Sequence, residues 1–141
     1  MFERWKEKRE QTMARNRAIL ESKYWREHVL LRQCIEIMRG SCTVAPIDMH
    51  EAAIAAVNIA LTEGSWRKLE ELIDIPEDFM PELIFLVWDD PKLPVLRAPW
   101  VLADKYLWDV RSVANRCFLV SEHLDRILSF DEDGNPMLYS V

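Results

Sequence analysis

The strongest chemical signal in this sequence is a run of carboxylates. Residues 70–90 read EELIDIPEDFMPELIFLVWDD, with eight Asp or Glu side chains, no Lys or Arg, and large apolar side chains between the acids. An acidic surface with apolar anchors attracts a basic protein at a high association rate, and it can present carboxylates where phosphates would otherwise bind. The chemistry that this segment predicts is therefore recognition of a cationic partner.

We divide this predicted interface into an aromatic anchor and a polar rim. Phe79 or Trp88 would supply the anchor, because buried aromatic side chains dominate the binding energy of many interfaces. Glu77, Asp78 and Glu82 follow prolines at predicted helix starts, where a carboxylate stabilises the helix dipole by roughly 0.3–1 kcal/mol. A solvated acidic face is the alternative interpretation of the whole stretch. The acids that the dipole does not explain are assigned to the rim: Glu70, Glu71, Asp74, Asp89 and Asp90.

Metal-binding motifs are incomplete. Asp131, Asp133 and Asn135 have the spacing of the first ligands of an EF-hand calcium loop, but the sixth position, which should be Gly, is Pro136. The three histidines and three cysteines have no zinc-site spacing. We therefore predict no metal site and no cofactor.

Catalytic motifs are also missing. The chain has three glycines, too few and too scattered for a phosphate-binding loop, and no glycine-rich turn that would present a nucleophile. Cys34, Cys42 and Cys117 are odd in number, which rules out a closed set of disulfides, and we interpret them as buried free thiols. The sequence therefore predicts a protein that is not an enzyme.

Charge is distributed unevenly along the chain. The net charge is −6, but residues 1–33 carry a net +4 and residues 34–141 a net −10. An acidic protein is not expected to bind nucleic acid with its whole surface, and the basic segment is interrupted by Glu3, Glu7 and Glu10. No apolar run reaches the roughly 18 residues of a membrane span. We expect a cytoplasmic protein that binds neither nucleic acid nor membrane directly.

Helical periodicity predicts the elements that position these side chains. Apolar residues recur every three or four positions between Met13 and Met38, which predicts a helix over 3–39, with a break near Ser22 as the alternative. A similar stripe predicts a second long helix over 99–128, with a break near Asp109–Ser112 as the alternative.

Shorter elements lie between and after these helices. An alanine-rich run predicts a central helix over 49–63, and Ser65 could cap a short helix over 66–73. The segment LIFLVW at 83–88 fits either a buried strand or a helix, and we prefer a helix because the rest of the chain reads as helical. Residues 89–99 form a proline-rich connection, and residues 130–141 have the composition of a short hairpin or an extended tail.

Together these elements predict an all-α, single-domain bundle of five or six helices over residues 1–141. Whether residues 1–20 project as a basic helical arm is left open. The expected function is that of a non-catalytic binding protein, an acidic inhibitor or immunity/antitoxin-type module that neutralises a basic protein. One alternative is a structural or adaptor protein that self-assembles through its N-terminal helix, which leaves the oligomeric state open. The second alternative is a small enzyme without a recognisable motif.

Overall fold

The structure, a computed structural model, contains both helices and strands and describes residues 2–63, 65–70, 75–76 and 78–140. The helices are α1 (Phe2–Glu21), α2 (Lys23–Glu27), α3 (Val29–Ile37), α4 (Ile47–Glu63), α5 (Trp100–Lys105) and α6 (Leu107–Arg111). The strands are β1 (Thr43–Val44), β2 (Trp66–Lys68), β3 (Leu83–Trp88), β4 (Leu96–Pro99), β5 (Cys117–Ser121), β6 (Arg126–Phe130) and β7 (Pro136–Ser140).

Within these described ranges, the strands form one antiparallel sheet in the order β1-β4-β3-β5-β6-β7-β2. The protein therefore has an α+β fold. The predicted all-α bundle, and with it the description of the protein as α-helical, is wrong.

The sheet separates two hydrophobic cores. Along β3, Ile84, Leu86 and Trp88 belong to one core, and Phe85 and Val87 belong to the other. The first core is closed by α3, α5 and α6, and the second by α4. We call these two sides of the sheet the α3 face and the α4 face.

Burial on both faces explains why residues 83–88 form a strand and not the preferred helix. Five of the six residues of β3 are buried. A strand that is covered on both sides reads as a continuous apolar run without alternation, so periodicity cannot distinguish it from a buried helix. Hydrogen bonds to neighbouring strands stabilise the extended form, since β3 pairs with both β4 and β5.

The predicted helix over 99–128 is wrong beyond Arg111. The helical part ends near the Asp109–Ser112 break that was the alternative, but the strands β5 and β6 follow it. All five residues of β5 are buried, so its apolar side chains fit a helical stripe by coincidence. The turn between these strands is tight: Leu124 has a φ of 64°, and the Ser121 hydroxyl accepts hydrogen bonds from two backbone N–H groups.

The predicted helix over 3–39 is three helices. The break near Ser22 is confirmed, and a second break follows at His28, whose Nδ1 accepts a hydrogen bond from the Leu31 N–H at 3.2 Å and caps α3. Helix α1 packs against α4, so part of the basic segment lies against the body of the protein. None of the described helices is both long and apolar enough to cross a bilayer.

The helix predicted over 49–63 is confirmed as α4, although it lies on one face of the sheet and not at the centre of a bundle. It buries Ala53, Val57 and Ala60 against the sheet and leaves Ile59 and Leu61 exposed. The short helix predicted over 66–73 is wrong at its start, because β2 occupies residues 66–68. Residues 71–74 lie outside the described part of the chain.

Of the two alternatives for residues 130–141, the structure shows the hairpin and not the extended tail, although its first strand, β6, begins at Arg126 inside the predicted 99–128 helix. Strands β6 and β7 pair antiparallel, and the Asp131 carboxylate accepts hydrogen bonds from the N–H groups of Asp133 at 3.0 Å and Asn135 at 2.8 Å. Gly134 adopts a φ of 84°, which glycine reaches without strain. The EF-hand-like spacing is thus a turn in which Asp131 binds backbone groups.

The three cysteines are free and buried, as predicted. Burial raises the pKa of the Cys34 and Cys42 thiols to about 12, and it also raises the pKa of Cys117. Protonated thiols are poor nucleophiles and poor metal ligands. Cys117 lies on β5, however, and not on the predicted helix.

A buried histidine ties α4 to the sheet. His50 is 0% exposed, and its Nδ1 accepts a hydrogen bond from the Val95 N–H at 3.2 Å. Nε2 is buried and has no hydrogen-bond partner among the residues that the structure describes. Burial lowers the pKa of His50 below its ordinary value of 6.5, so the folded protein holds this imidazole neutral.

This arrangement predicts that acid weakens the fold through His50. Below a pH of about 6.5 the unfolded chain binds a proton that the folded protein does not, so the free energy of unfolding falls as the pH falls through that value. Replacing His50 by Asn, whose amide oxygen can accept the Val95 hydrogen bond, should flatten this pH dependence as the pH falls through about 6.5. Urea unfolding at a series of pH values measures it. The control is His123→Asn at an exposed position, and an unchanged slope in H50N would contradict the assignment.

Candidate functional site

The acidic stretch does not form one continuous described surface. Glu71, Asp74 and Glu77 lie outside the described residues, and Glu70 is exposed just after β2. Glu82 directly precedes β3, so the helix-dipole explanation for this acid is wrong. Asp89 and Asp90 lie in the turn that connects β3 to β4.

The carboxylates of this turn bind groups within the same chain. Asp89 Oδ1 accepts a hydrogen bond from the Arg116 N–H at 3.0 Å, which joins the end of β3 to the start of β5. Asp90 accepts one from the Tyr24 hydroxyl at 2.8 Å and one from the Lys92 N–H at 2.9 Å. Both acids therefore have structural partners that the sequence did not reveal.

The predicted aromatic anchors lie inside or partly inside the protein. Trp88 is 6% exposed, belongs to the core of the α3 face, and donates a hydrogen bond from Nε1 to the Val110 carbonyl at 2.8 Å. A partner cannot reach this ring, so we withdraw Trp88 as an anchor. Phe79 is partly buried and packs against the same core.

A different tryptophan is exposed. Trp108 on α6 is 78% exposed, and Val101 on α5 is 72% exposed. Hydrogen bonds from Tyr106 N–H to the Leu102 carbonyl and from Val110 N–H to the Tyr106 carbonyl continue the helical path across the junction of α5 and α6. Residues seven positions apart on such a path share one side, roughly 10 Å apart along the axis.

The side chains on this solvent side define what we call the α5–α6 ridge. Besides the two apolar residues, it carries the exposed residues Asp104, Lys105 and Ser112. On one flank the ridge borders a cleft of about 880 Å³ shared with the C-terminal end of α3. On the other flank it borders a cleft of about 180 Å³ shared with the β6–β7 turn. Trp108 lines the smaller cleft and the next residue, Asp109, lines the larger one, so a partner that binds over the ridge would contact both clefts.

Carboxylates border both grooves. Glu36 and Asp109 line the larger groove together with Arg39, and Asp131 lines the smaller one together with Arg111 and Arg116. A neighbouring cleft of about 400 Å³ brings in Glu132 and Asp89, so one acid predicted from the sequence does lie close to the ridge. Asp131 is paired with Lys68 at 3.2 Å. Within the described part of the chain, Glu36, Asp109 and Glu132 have no ion-pair partner.

The cations near the ridge contact aromatic rings. The Arg111 guanidinium lies 4.0 Å from the ring centroid of Phe130, and Lys105 Nζ lies 5.3 Å from that of Tyr106. Cation–π contacts of this kind hold a positive charge close to the protein without neutralising a carboxylate. Glu36, Asp109 and Glu132 therefore remain available to a partner, and Asp131 does not.

The comparisons with known proteins leave the geometry as the only guide. No model of a known protein family matches this chain, and no curated protein matches its sequence. Among the described residues, no group of three or more His, Cys, Asp or Glu side chains is placed to hold a metal ion.

Sequence reasoning missed Trp108, although a signal for it exists. The apolar stripe of this segment runs through Leu102, Tyr106, Val110 and Val113, and Trp108 does not lie on it. A tryptophan on the polar side of an amphipathic helix is expected to be exposed. That inference remains valid even though the helix is shorter than predicted.

The exposure of Trp108 can be measured by fluorescence quenching. Trp108→Phe should reduce the acrylamide-quenchable fraction of the emission and leave the free energy of unfolding within about 0.5 kcal/mol, because the ring has few contacts. Trp88→Phe should instead raise the quenchable fraction, because it removes emission from a buried ring. It should also destabilise the protein by about 1–3 kcal/mol, because the Val110 carbonyl loses its hydrogen bond from Trp88. Equal effects of the two substitutions on quenching would contradict the structure.

Proposed function

We propose that this protein is a non-catalytic binding protein that captures a basic protein partner through the α5–α6 ridge, as an inhibitor or immunity-type module would. The observation that carries the proposal is the position of Trp108. It is 78% exposed and lines the smaller groove, and the next residue, Asp109, lines the larger groove together with Glu36.

The energetics of protein interfaces favour Trp108 as the anchor. Tryptophan is enriched among the few residues that supply most of the binding energy, and these residues lie at the centre of a ring of less important contacts. Val101 and Ile37, both exposed, extend the apolar area on either side of the larger groove. A partner that covers the ridge would remove all three side chains from water.

The negative charge of this part of the protein favours a basic partner. Residues 34–141 carry a net charge of −10, and the ridge belongs to this part of the chain. Acids around an apolar anchor speed the approach of a cationic protein and disfavour an anionic one. Glu132 and Asp133, both exposed in the β6–β7 turn, are suited to act as rim charges.

The alternative of self-assembly through a single long N-terminal helix has lost part of its basis. That segment is broken at Ser22 and at His28, and α1 packs against α4 of the same chain. A native mass that corresponds to a monomer at all concentrations would argue further against it.

Removing the anchor should raise the dissociation rate of the partner complex. We expect Trp108→Ala to weaken binding by about thirtyfold, since loss of a buried aromatic anchor commonly costs about 2 kcal/mol. Affinity capture from the native host identifies the partner, and surface plasmon resonance with the purified pair measures the rates. Ile59→Ala, an exposed apolar residue on α4, is the matched control. Equal affinities for W108A and the parent protein would overturn the proposal.

Neutralising the rim should act on association instead. The double change Glu132→Gln and Asp133→Asn should slow association at low salt and flatten its salt dependence, with little effect on dissociation. The control neutralises Glu21 and Asp48, which are exposed outside the ridge. If the rim variant associates at the parent rate at low salt, the partner is not steered by these acids.

A further inference from the structure

A second cleft lies on the opposite side of the sheet from the ridge. It has a volume of about 640 Å³ and lies between α1, α4 and the adjoining ends of β3 and β5. Its apolar lining comes mainly from the α4 face: Ile19 of α1, Ile54, Val57 and Leu61 of α4, Val87 of β3 and Phe118 of β5.

The size and lining are those of a small-molecule site. Such sites have volumes of roughly 300–1,000 Å³ and are mostly apolar, with a few polar groups that fix the orientation of the ligand. Charged side chains line the cleft where β3 ends and β5 begins. They are Asp89, Asp90 and Arg116, together with Arg15 of α1. The cleft therefore has an apolar body and a polar end.

Arg116 brings unused hydrogen-bond donor capacity to the polar end. Asp90 already accepts hydrogen bonds from Tyr24 and Lys92, and Asp89 accepts one from the backbone of Arg116. The Arg116 guanidinium makes no hydrogen bond to any residue that the structure describes, and it lies 4.9 Å from the ring centroid of Phe118. Residues 116 and 118 are two apart on an extended segment, so both side chains face the cleft side of the sheet.

We propose that this cleft binds an aliphatic carboxylate, with the chain among the α4 and sheet side chains and the carboxylate on the Arg116 guanidinium. A planar guanidinium matches a carboxylate through two parallel hydrogen bonds. The neighbouring Asp89 and Asp90 oppose additional negative charge, so a monoanionic head group is favoured over a phosphate dianion. Arg116 also lines the smaller cleft beside the ridge, whereas Trp108 does not line this cleft, so substitution of Trp108 distinguishes the two sites.

Titration calorimetry of dodecanoate binding to the whole protein tests the proposal. The dodecanoate concentration is kept below the concentration at which it forms micelles. We expect saturable binding at one site per chain, with dodecanol and dodecyl phosphate each at least tenfold weaker. Arg116→Gln, which keeps the backbone hydrogen bond to Asp89, should weaken dodecanoate about tenfold and leave dodecanol unchanged. Binding without saturation, or equal affinity of R116Q and the parent protein for dodecanoate, would overturn the proposal.

A pair of variants on α4 tests where the aliphatic chain of the ligand lies. Asn58 is exposed on α4 and lines the cleft, whereas the next residue, Ile59, is exposed and does not. Asn58→Trp should fill part of the cleft and weaken dodecanoate at least tenfold, and Ile59→Trp should not. Equal binding by both variants would place the ligand elsewhere and overturn the proposal. Trp108→Ala should leave dodecanoate binding unchanged, so the ligand site and the partner site succeed or fail separately.

Discussion

The pairing of β3 with β5 is the constraint on which the rest of the structure depends. These strands pair from Ile84 with Ser121 to Trp88 with Cys117, and both are buried on the two faces of the sheet. The α3 face receives α3, α5 and α6, and the α4 face receives α4. Helix α6 has five residues, too few to be stable alone, and it is held by the hydrogen bond from Trp88 to Val110. The buried Trp88 thus helps to position the exposed Trp108.

Local signals in the sequence predicted the parts of the fold that are stabilised locally. The α4 helix and the turn after Phe130 were predicted correctly because their residues make the contacts that define them, as Asp131 does with its own turn, whereas β6 begins within the predicted 99–128 helix. The sheet was missed because its central strands are covered on both sides. Buried residues at every position of β5 match a helical period as well as an extended one. Only contacts between distant segments distinguish the two.

The candidate site also combines features that local sequence signals indicate with features that depend on distant contacts. The partners of Asp89 and Asp90, namely Arg116 and Tyr24, are 27 and 66 positions away in the sequence, so the structural roles of these acids could not be predicted from the stretch itself. The sequence shows that residues 34–141 are acidic. It also predicted Trp88 as an anchor, but the structure buries this ring. Trp108 could be recognised from its position off the apolar stripe. The grooves beside it could not, because they require α3 and the β6–β7 turn to meet α6.

The most direct test of the account is site-specific photo-crosslinking in the native host. A benzophenone amino acid would replace Trp108 in one variant and Ile59, exposed on the other side of the sheet, in a second. The account predicts that irradiation joins the position-108 variant to one basic protein and that the position-59 variant gives no such product. The same product from both variants, or an acidic protein captured at position 108, would contradict the claim that the α5–α6 ridge binds a basic partner.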